Sequence, residues 1–249
     1  MRDCTNTPRS CLITGAAGVL GKAAAVGLLE MGHSVILADL HEEGMLDLKR
    51  SYGDRVHTLV MDLSRPADLE AACRRLLDQG LRVDVLVNNA GILTTNKVDA
   101  TSLEEWEHIM AVNLTASFCL AKAFIPDMRE RRWGRIINVS SLAAKTGGLT
   151  AGTAYSVSKG AMIALTFTLA AELASYGITV NGIAPAYIMT PMVSQQLTQE
   201  QRDTILGKIP VSRFCEPEEV AHTVTFLVDE RAGFITGEII DQNGGLHFD

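Results

Sequence analysis

Tyr155 and Lys159 stand four residues apart, so on a helix their side chains lie on the same face. A free phenol is a poor base near neutral pH because its pKa is about 10. An ammonium group nearby favours the phenolate and lowers that pKa, which tunes a tyrosine for proton transfer. The pair therefore predicts general acid–base chemistry.

Two adjacent serines precede this pair. Ser140 and Ser141 follow a β-branched run at 136–139, and Ser141 lies fourteen residues before Tyr155. A serine hydroxyl at the end of a strand can hold a substrate oxygen against the tyrosine. Both serines are candidates for this role, and we favour Ser141, the second of the two.

A glycine-rich segment lies between the first predicted strand and the first predicted helix. Residues 14–21 read T-G-A-A-G-V-L-G, with glycines at Gly15, Gly18 and Gly21. Such glycines allow a tight turn, close approach of the backbone to a pyrophosphate, and close packing of helix on strand. The helix N-terminus then offers free N–H groups to the anion. The segment predicts a dinucleotide-binding loop.

Asp39 closes the second predicted strand, eighteen residues after Gly21. A carboxylate at this point accepts hydrogen bonds from the adenosine ribose hydroxyls and repels a 2′-phosphate. No arginine occurs in the glycine loop or at Leu40 and His41. We therefore expect NAD in preference to NADP. Asp62, at the end of the third predicted strand, has two open interpretations: a contact beside the adenine or a turn residue.

Short, nearly continuous apolar runs alternate with helix-like segments along the whole chain. Strands of this kind are typical of a parallel sheet that is covered on both faces. Strand–helix–strand crossovers are right-handed, and repeating them builds a doubly wound sheet. We therefore predict an α/β fold, a single Rossmann-type domain over residues 1–249 with about seven parallel strands flanked by helices. The predicted strands are 11–14, 35–38, 56–61, 83–87, 136–139, 178–183 and 238–240.

Five glycines each follow a helix-like segment and precede a predicted strand. Glycine past a helix end adopts the left-handed conformation that other residues resist, so we expect a left-handed turn at each position. These glycines are Gly32, Gly53, Gly80, Gly134 and Gly177.

Composition excludes several classes of protein. The chain has 249 residues, 47% hydrophobic and 20% charged, which excludes a disordered chain. A net charge of −7 argues against non-specific binding to nucleic acid or an anionic membrane. Five scattered cysteines form no C-x-x-C pair, and six histidines show no metal-ligand spacing. The N-terminus has no apolar signal core, and the apolar stretch 160–171 is too short to span a bilayer. We expect a cytoplasmic protein without a metal.

Taken together, these residues resemble the classical short-chain dehydrogenase/reductase family over almost the whole chain. Beyond the glycine loop, Ser141, Tyr155 and Lys159, four features carry the resemblance. They are N-N-A-G at 88–91, Asn113 in N-L-T-A-S-F, V-N-G-I-A-P-A at 180–186 followed by Thr190, and N-G-G at 243–245.

The resemblance implies a role for each site residue. Tyr155 would be the general acid in carbonyl reduction and the base in alcohol oxidation, and Ser141 would orient the substrate oxygen. Lys159 would lower the pKa of Tyr155 and bind the nicotinamide ribose, and Asn113 would help to hold a water that links Lys159 to solvent. The cofactor would also contact Gly15, Gly18, Val19, Leu20, Gly21, Asp39, Asp62, Leu63, Asn89, Ala90, Gly91, Pro185, Ile188 and Thr190.

Two positions depart from the family pattern. One lies in the glycine loop, where the family has T-G-x-x-x-G-x-G, and the other is residue 186, where the family has a glycine. The middle glycine of the loop comes one residue early, at Gly18, so that Val19 stands in its usual place. This spacing resembles that of the extended branch of the superfamily. Ala186 stands where glycine is usual and would narrow the space near the nicotinamide.

The segment 189–212 interrupts the strand–helix rhythm with two prolines and many polar residues, which predicts a substrate lid. Together with residues 142–153 it would line the substrate pocket. The pocket residues that we expect are mostly apolar and favour a small cyclic, aromatic or aliphatic alcohol over a polyol. They are Leu142, Leu149, Tyr187 and Met192.

We therefore expect an NAD-dependent oxidoreductase that interconverts a secondary alcohol and its ketone. One alternative is a 3-oxoacyl-thioester (acyl carrier protein) reductase, an enzyme that the resemblance associates with NADPH. A sugar epimerase is less favoured because no C-terminal substrate domain follows. A non-catalytic NAD-binding scaffold is also a less favoured alternative, because such a protein has no chemical need of the tyrosine–lysine pair. The resemblance implies a homotetramer, with a dimer as the second choice, built on the helices near Asn113 and Tyr155.

Overall fold

Seven parallel strands form one sheet in the order β3-β2-β1-β4-β5-β6-β7. The computed structural model describes residues 7–148, 150–189 and 198–248, without the side chain of Gln201. All seven predicted strands are confirmed, with ends that shift by one or two residues. The strands are β1 Ser10–Thr14, β2 Ser34–Asp39, β3 Val56–Val60, β4 Val85–Asn88, β5 Gly134–Val139, β6 Ile178–Pro185 and β7 Ile239–Gln242.

Helices connect the strands and cover both faces of the sheet. Several begin where the sequence provides a start signal: Pro66 is the first residue of α3, and the Ser102 hydroxyl accepts the Glu105 N–H at the start of α4. The helices are α1 Val19–Glu30, α2 Leu46–Tyr52, α3 Pro66–Asp78, α4 Leu103–Met110, α5 Ala116–Arg131, α6 Ala143–Thr146, α7 Thr153–Leu173, α8 Gln199–Leu206 and α9 Pro217–Val228. A π-helical turn, Ala111–Thr115, joins α4 to α5.

The strands are mostly apolar because alternate side chains enter two different cores. Leu12 of β1 packs with the core under α3, α5 and α7, which also contains Phe124. Cys11 and Ile13, its neighbours in sequence, pack with the core under α1 and α9, which contains Leu28. Side chains in a strand point alternately to opposite faces, so a sheet covered on both sides needs apolar residues at every position. The single-domain Rossmann-type prediction is confirmed.

Four of the five predicted left-handed glycines adopt a positive φ, and one prediction is wrong. The four are Gly32, Gly53, Gly80 and Gly177. Gly134 belongs to β5, and Arg132 provides the left-handed residue after α5, with φ 53°. Gly134 is small for another reason: a Cβ there would lie 2.7 Å from the Met128 sulfur. Close packing against α5, and not a turn, requires a glycine at this position.

Two helical stretches within the described part of the chain are long and apolar enough to cross a membrane by length and composition. They are Leu103–Arg131 and Thr153–Tyr176, in which 44% and 39% of the most apolar window is buried. Both belong to the layer that packs on the sheet, and core helices of soluble proteins pass the same test. Packing on the sheet accounts for their buried apolar residues.

Candidate active site

The candidate site lies at the carboxyl edge of the sheet, where the strand order reverses. β1 and β4 are neighbours, and the chain leaves them in opposite directions across the sheet. Ligands of open α/β sheets bind in the crevice outside such a switch point. The glycine loop follows β1, the segment 88–91 includes the end of β4, Ser140 and Ser141 follow β5, and Tyr187 follows β6. The topology therefore brings the predicted site residues of the first and second halves of the chain to one edge.

The glycine loop has the conformation that a pyrophosphate cradle needs. Gly15 has φ +65°, and a Cβ there would lie 2.9 Å from Ala90 Cα. A Cβ at Gly21 would overlap the Gly15 carbonyl oxygen. Gly18 is the extended residue that precedes α1, so Val19 becomes the first helical residue and keeps 39% of its surface exposed. The loop fits a dinucleotide, and the early glycine acts as the N-cap of the helix.

Thr14 holds the glycine loop to the segment 88–91. Its Oγ1 accepts hydrogen bonds from the N–H groups of Asn89, at 3.1 Å, and Ala90, at 3.0 Å. Asn89 returns a bond from Nδ2 to the Thr14 carbonyl oxygen at 2.8 Å. The two walls of the cofactor cleft are therefore joined directly. In the sequence, the position of Thr14 directly before Gly15 is its only signal.

Asp39 lies beside the glycine loop, as the spacing predicts. Its Oδ2 accepts the Ala17 N–H at 2.9 Å, and its Oδ1 accepts the Leu40 N–H at 2.7 Å. Carboxylate oxygens keep further acceptor capacity after one bond each, so both remain able to receive ribose hydroxyls. Residues 41–43 continue as H-E-E, without lysine or arginine. The charge at this position is negative.

Asp62 is a turn residue in this structure. Its Oδ1 accepts the Ser64 hydroxyl at 2.7 Å and the Ser64 N–H at 2.9 Å, and Arg65 lies 3.4 Å from its other oxygen. The Ser64 hydroxyl, followed by the Ser64 N–H, lowers the pKa of the carboxyl group. The turn interpretation is supported by these bonds, and contact of Asp62 or its neighbour Leu63 with adenine stays a prediction.

Tyr155 and Lys159 lie in the first two turns of α7. The Lys159 ammonium lies 5.8 Å from the centre of the Tyr155 ring and donates to the Val139 carbonyl oxygen at 2.8 Å. The Ser141 hydroxyl bonds to the Tyr155 side chain, and its oxygen accepts the Ala143 N–H at 3.1 Å. The three predicted groups therefore lie together.

Burial dominates the proton affinities of this group. It lowers the pKa of Lys159 to about 8, so the amine is mostly charged at neutral pH. Burial raises the pKa of Tyr155, and the Ser141 hydroxyl opposes that effect in part. Burial is the larger of these two causes, so the phenol holds its proton in this structure. A lowering of the Tyr155 pKa by Lys159 stays a prediction.

The two serines have different surroundings. Ser140 is buried, and its hydroxyl donates to the Lys159 carbonyl oxygen at 2.8 Å, which fixes β5 against α7. Ser141 is only partly buried and contacts Tyr155. The geometry supports Ser141 as the substrate-facing serine and gives Ser140 a structural contact.

Asn113 lies in the π-helical turn, and its side chain bonds to Ile92 and Ser158. Its Oδ1 accepts the Ile92 N–H at 2.9 Å, and its Nδ2 donates to the Ile92 carbonyl at 3.1 Å and to the Ser158 hydroxyl at 3.0 Å. The side chain thus joins the segment after β4 to α7. π-helical turns occur often at functional sites. The implied role of Asn113 in holding a water stays a prediction.

Gly91 lies directly beside the ammonium. A Cβ at this position would lie 3.0 Å from Lys159 Nζ and 3.5 Å from Asn113 Oδ1. A glycine here leaves room for both side chains.

The substrate side is formed by the ends of β5 and β6. The Leu142 N–H donates to the Pro185 carbonyl at 2.9 Å, and Ile188 bridges to Cys215. Tyr187 packs against Phe214, with ring centres 6.3 Å apart. A cavity of about 400 Å³ lies between α8 and this region. It is lined by Met189, Gln199, Arg202, Leu206, Ser212, Arg213, Phe214 and Glu216.

Three of the predicted contacts lie outside the described residues. These are Thr190, Leu149 and Met192. The described part of the predicted lid contains α8, whose Ile205 packs with Ile209 and Phe214 in a small apolar cluster that Tyr187 adjoins. A role of this segment as a lid stays a prediction.

The chain is similar to known proteins along almost its whole length. A family model described as Enoyl-(Acyl carrier protein) reductase matches residues 15–247. The 3-oxoacyl-(acyl-carrier-protein) reductase of Vibrio cholerae is 40% identical over 237 residues, which cover 95% of this chain and 96% of that protein.

Two solved structures show the same fold. The 3-oxoacyl-(acyl-carrier protein) reductase of Brucella melitensis with bound NAD is 34% identical with a TM-score of 0.89, covering 98% of this chain and 93% of that one. A putative NAD(P)-dependent gluconate 5-dehydrogenase from Beutenbergia cavernae is 30% identical with a TM-score of 0.90, covering 96% of each chain.

A sheet with a dinucleotide cradle at its switch point and an acid–base tyrosine beside it defines a nucleotide-dependent oxidoreductase. Within that class the chain belongs to the classical short-chain dehydrogenase/reductase family, because the family model and the relatives match almost its whole length.

Proposed function

We propose that this protein is a 3-oxoacyl-thioester reductase that uses NADH. The observation that carries the proposal is the Ser141–Tyr155–Lys159 arrangement in a chain similar along its length to such reductases. This proposal prefers the thioester reductase over the broader expectation of an alcohol dehydrogenase.

In the proposed reaction, the Ser141 hydroxyl and the Tyr155 phenol both donate hydrogen bonds to the ketone oxygen of the substrate. A bound nicotinamide would supply the hydride for the carbonyl carbon, and Tyr155 would give its proton to the oxygen that becomes the alcohol. Lys159 holds a positive charge close to the phenol, which stabilises the tyrosinate left after transfer. The ketone and hydride thus become a secondary alcohol, with the proton balance closed by Tyr155 and solvent.

Asp39 supports the choice of NADH. Its carboxylate lies against the glycine loop, and residues 41–43 add two more acidic side chains and no arginine. A 2′-phosphate at this point would meet negative charge, with no lysine or arginine among residues 40–43.

The test is a comparison of NADH and NADPH oxidation with a short 3-oxoacyl thioester, followed by absorbance. We expect turnover with a higher kcat/KM for NADH, and a loss of at least about a hundredfold in Tyr155→Phe, the range for general acid–base catalysis. Ser140→Ala provides the matched control, since its hydroxyl is bound to a backbone carbonyl. Full activity in Tyr155→Phe would contradict the mechanism, and a preference for NADPH would contradict the cofactor assignment.

A second candidate is an NAD-dependent dehydrogenase of a free secondary alcohol, such as a polyol or sugar acid. Two observations favour it: the fold neighbours include putative gluconate dehydrogenases, and the Thr150 and Tyr187 hydroxyls meet at 3.3 Å on the substrate side. A panel of thioesters, simple secondary alcohols and sugar acids separates the candidates. The class with the highest kcat/KM identifies the substrate, and NADH binding without turnover of any of them would instead favour a scaffold.

We also propose a homotetramer in the cytoplasm, without a nucleic-acid or membrane partner. Apolar side chains on α4, α5 and α7 are exposed in the single chain: Leu103, Phe118, Val157 and Phe167 are 71%, 49%, 43% and 49% exposed. A surface of this kind suits burial between copies. Light scattering after size-exclusion chromatography measures the mass, and a monomer would contradict the proposal.

A further inference from the structure

Lys97 binds two backbone carbonyl groups that precede the catalytic helix. Its Nζ donates to the Gly148 oxygen at 2.8 Å and to the Ala151 oxygen at 2.6 Å. Hydrogen bonds from an ammonium group are stronger than neutral ones. One positive charge thus fixes both ends of the turn that leads into α7.

This turn, residues 147, 148 and 150–152, which we call the α7 approach, packs closely on its surroundings. Gly147 and Gly148 have φ +73° and +70°, and a Cβ at Gly148 would overlap the Ser156 hydroxyl of α7. The Gly152 N–H donates to the Thr94 carbonyl at 2.6 Å. The approach is therefore held on one side by α7 and on the other by the segment that contains Lys97.

The approach also reaches the substrate side of the site. Thr150 contacts Tyr187 through their hydroxyl groups at 3.3 Å, and Tyr187 packs on Phe214. The catalytic part of α7 is held by other contacts. Lys159 donates to the Val139 carbonyl, and the Ser158 hydroxyl accepts from Asn113 and donates to the Tyr155 carbonyl at 2.8 Å. Loss of the Lys97 bonds would thus release the substrate wall and leave the proton donor in position.

We propose that Lys97 is a positioning residue for the substrate, acting through the carbonyl groups of Gly148 and Ala151. We call the two bonds from Lys97 to the Gly148 and Ala151 carbonyl groups the clamp. The inference deepens the proposed function and rests on it for the identity of the substrate. The clamp itself does not depend on which ketone is reduced.

The chain offers a matched control. Lys49 also donates to two carbonyl oxygens, those of Gly53 at 3.2 Å and Val56 at 2.5 Å, next to the outer strand β3. Lys97→Met and Lys49→Met therefore remove the same kind of interaction at different places. Lys97→Arg keeps a charged group that can donate to two acceptors.

Steady-state kinetics and NADH titration test the proposal in the full chain. In Lys97→Met we expect KM for the ketone to rise about tenfold, with kcat within about twofold and the NADH Kd unchanged. Lys97→Arg should recover most of the KM, and Lys49→Met should leave it unchanged. An unchanged KM in Lys97→Met, or a parallel loss of kcat and NADH affinity, would overturn the assignment.

Hydrogen exchange separates this inference from the proposed substrate. Without any substrate, the amides of Gly152 and Thr153 should exchange faster in Lys97→Met than in Lys49→Met. Equal exchange in the two variants would overturn the clamp, even with an active thioester reductase. Faster exchange in a protein that reduces no thioester would support the clamp and contradict only the proposed substrate.

Discussion

Replacing Thr14 with valine tests whether one hydroxyl joins the two walls of the cofactor cleft. The side chain is 2% exposed, and its Oγ1 accepts two N–H groups and donates to the Val87 carbonyl at 3.4 Å. Valine has nearly the same shape, so the substitution creates no cavity. The Asn89 N–H keeps the Val87 carbonyl oxygen at 3.1 Å as an acceptor, whereas the Ala90 N–H loses its bond to Thr14. A donor left without a partner costs about 1–3 kcal/mol, which is the expected loss in the free energy of unfolding.

Thermal and urea unfolding measure this loss, with Thr14→Ser as the control because serine keeps the hydroxyl. For a chain of this size, the loss corresponds to a decrease in Tm of roughly 2–12 °C. The affinity for NADH should fall with the stability, since the segment 88–91 loses its attachment to the glycine loop. A Thr14→Val variant as stable as Thr14→Ser would refute the argument.

Three further predictions concern charge, backbone and pH. Asp39→Asn should raise the affinity for NADPH relative to NADH about tenfold, which corresponds to about 1.4 kcal/mol. Titration with both cofactors measures this ratio, and an unchanged ratio would refute the role of the Asp39 charge. Gly15→Ala should lose NADH binding and about 1–3 kcal/mol of stability, because Gly15 has φ +65° and its Cβ would lie 2.9 Å from Ala90 Cα. Gly32→Ala is the control: Gly32 has φ +89° but open space around it, so this variant should keep NADH binding. Equal NADH affinities in the two variants would contradict the prediction. Burial, followed by the charge of Arg9, lowers the pKa of His33 below 6.5, so the folded state binds fewer protons than the unfolded state. The free energy of unfolding should therefore fall as pH decreases from 6.5 towards that lowered pKa. Urea unfolding should show a smaller decrease in His33→Asn, and an equal decrease would exclude His33 as the cause.

Much of the fold follows from local patterns in the sequence. Apolar runs predict all seven strands because a sheet covered on both faces buries every side chain of a strand. The spacing of Tyr155 and Lys159, and the carboxylate of Asp39 after β2, predict their positions because each depends on one element. These inferences require no knowledge of distant contacts.

The remaining features depend on contacts between distant segments. The raised pKa of Tyr155 reflects how deeply packing buries the phenol, which no spacing reveals. Lys97 looks like an ordinary surface lysine until the turn before α7 brings two carbonyl groups to it. Arg132, and not Gly134, is the left-handed residue because α5 ends at Arg131 and Gly134 already belongs to β5.

Gly91 lies in the first half of the chain and determines the space around the amine of Lys159, which belongs to the second half. Because a Cβ there would lie 3.0 Å from Lys159 Nζ, a single added carbon would crowd the amine, although residue 91 carries no group that reacts. The segment that follows β4 therefore limits how closely the backbone can approach the ammonium of α7.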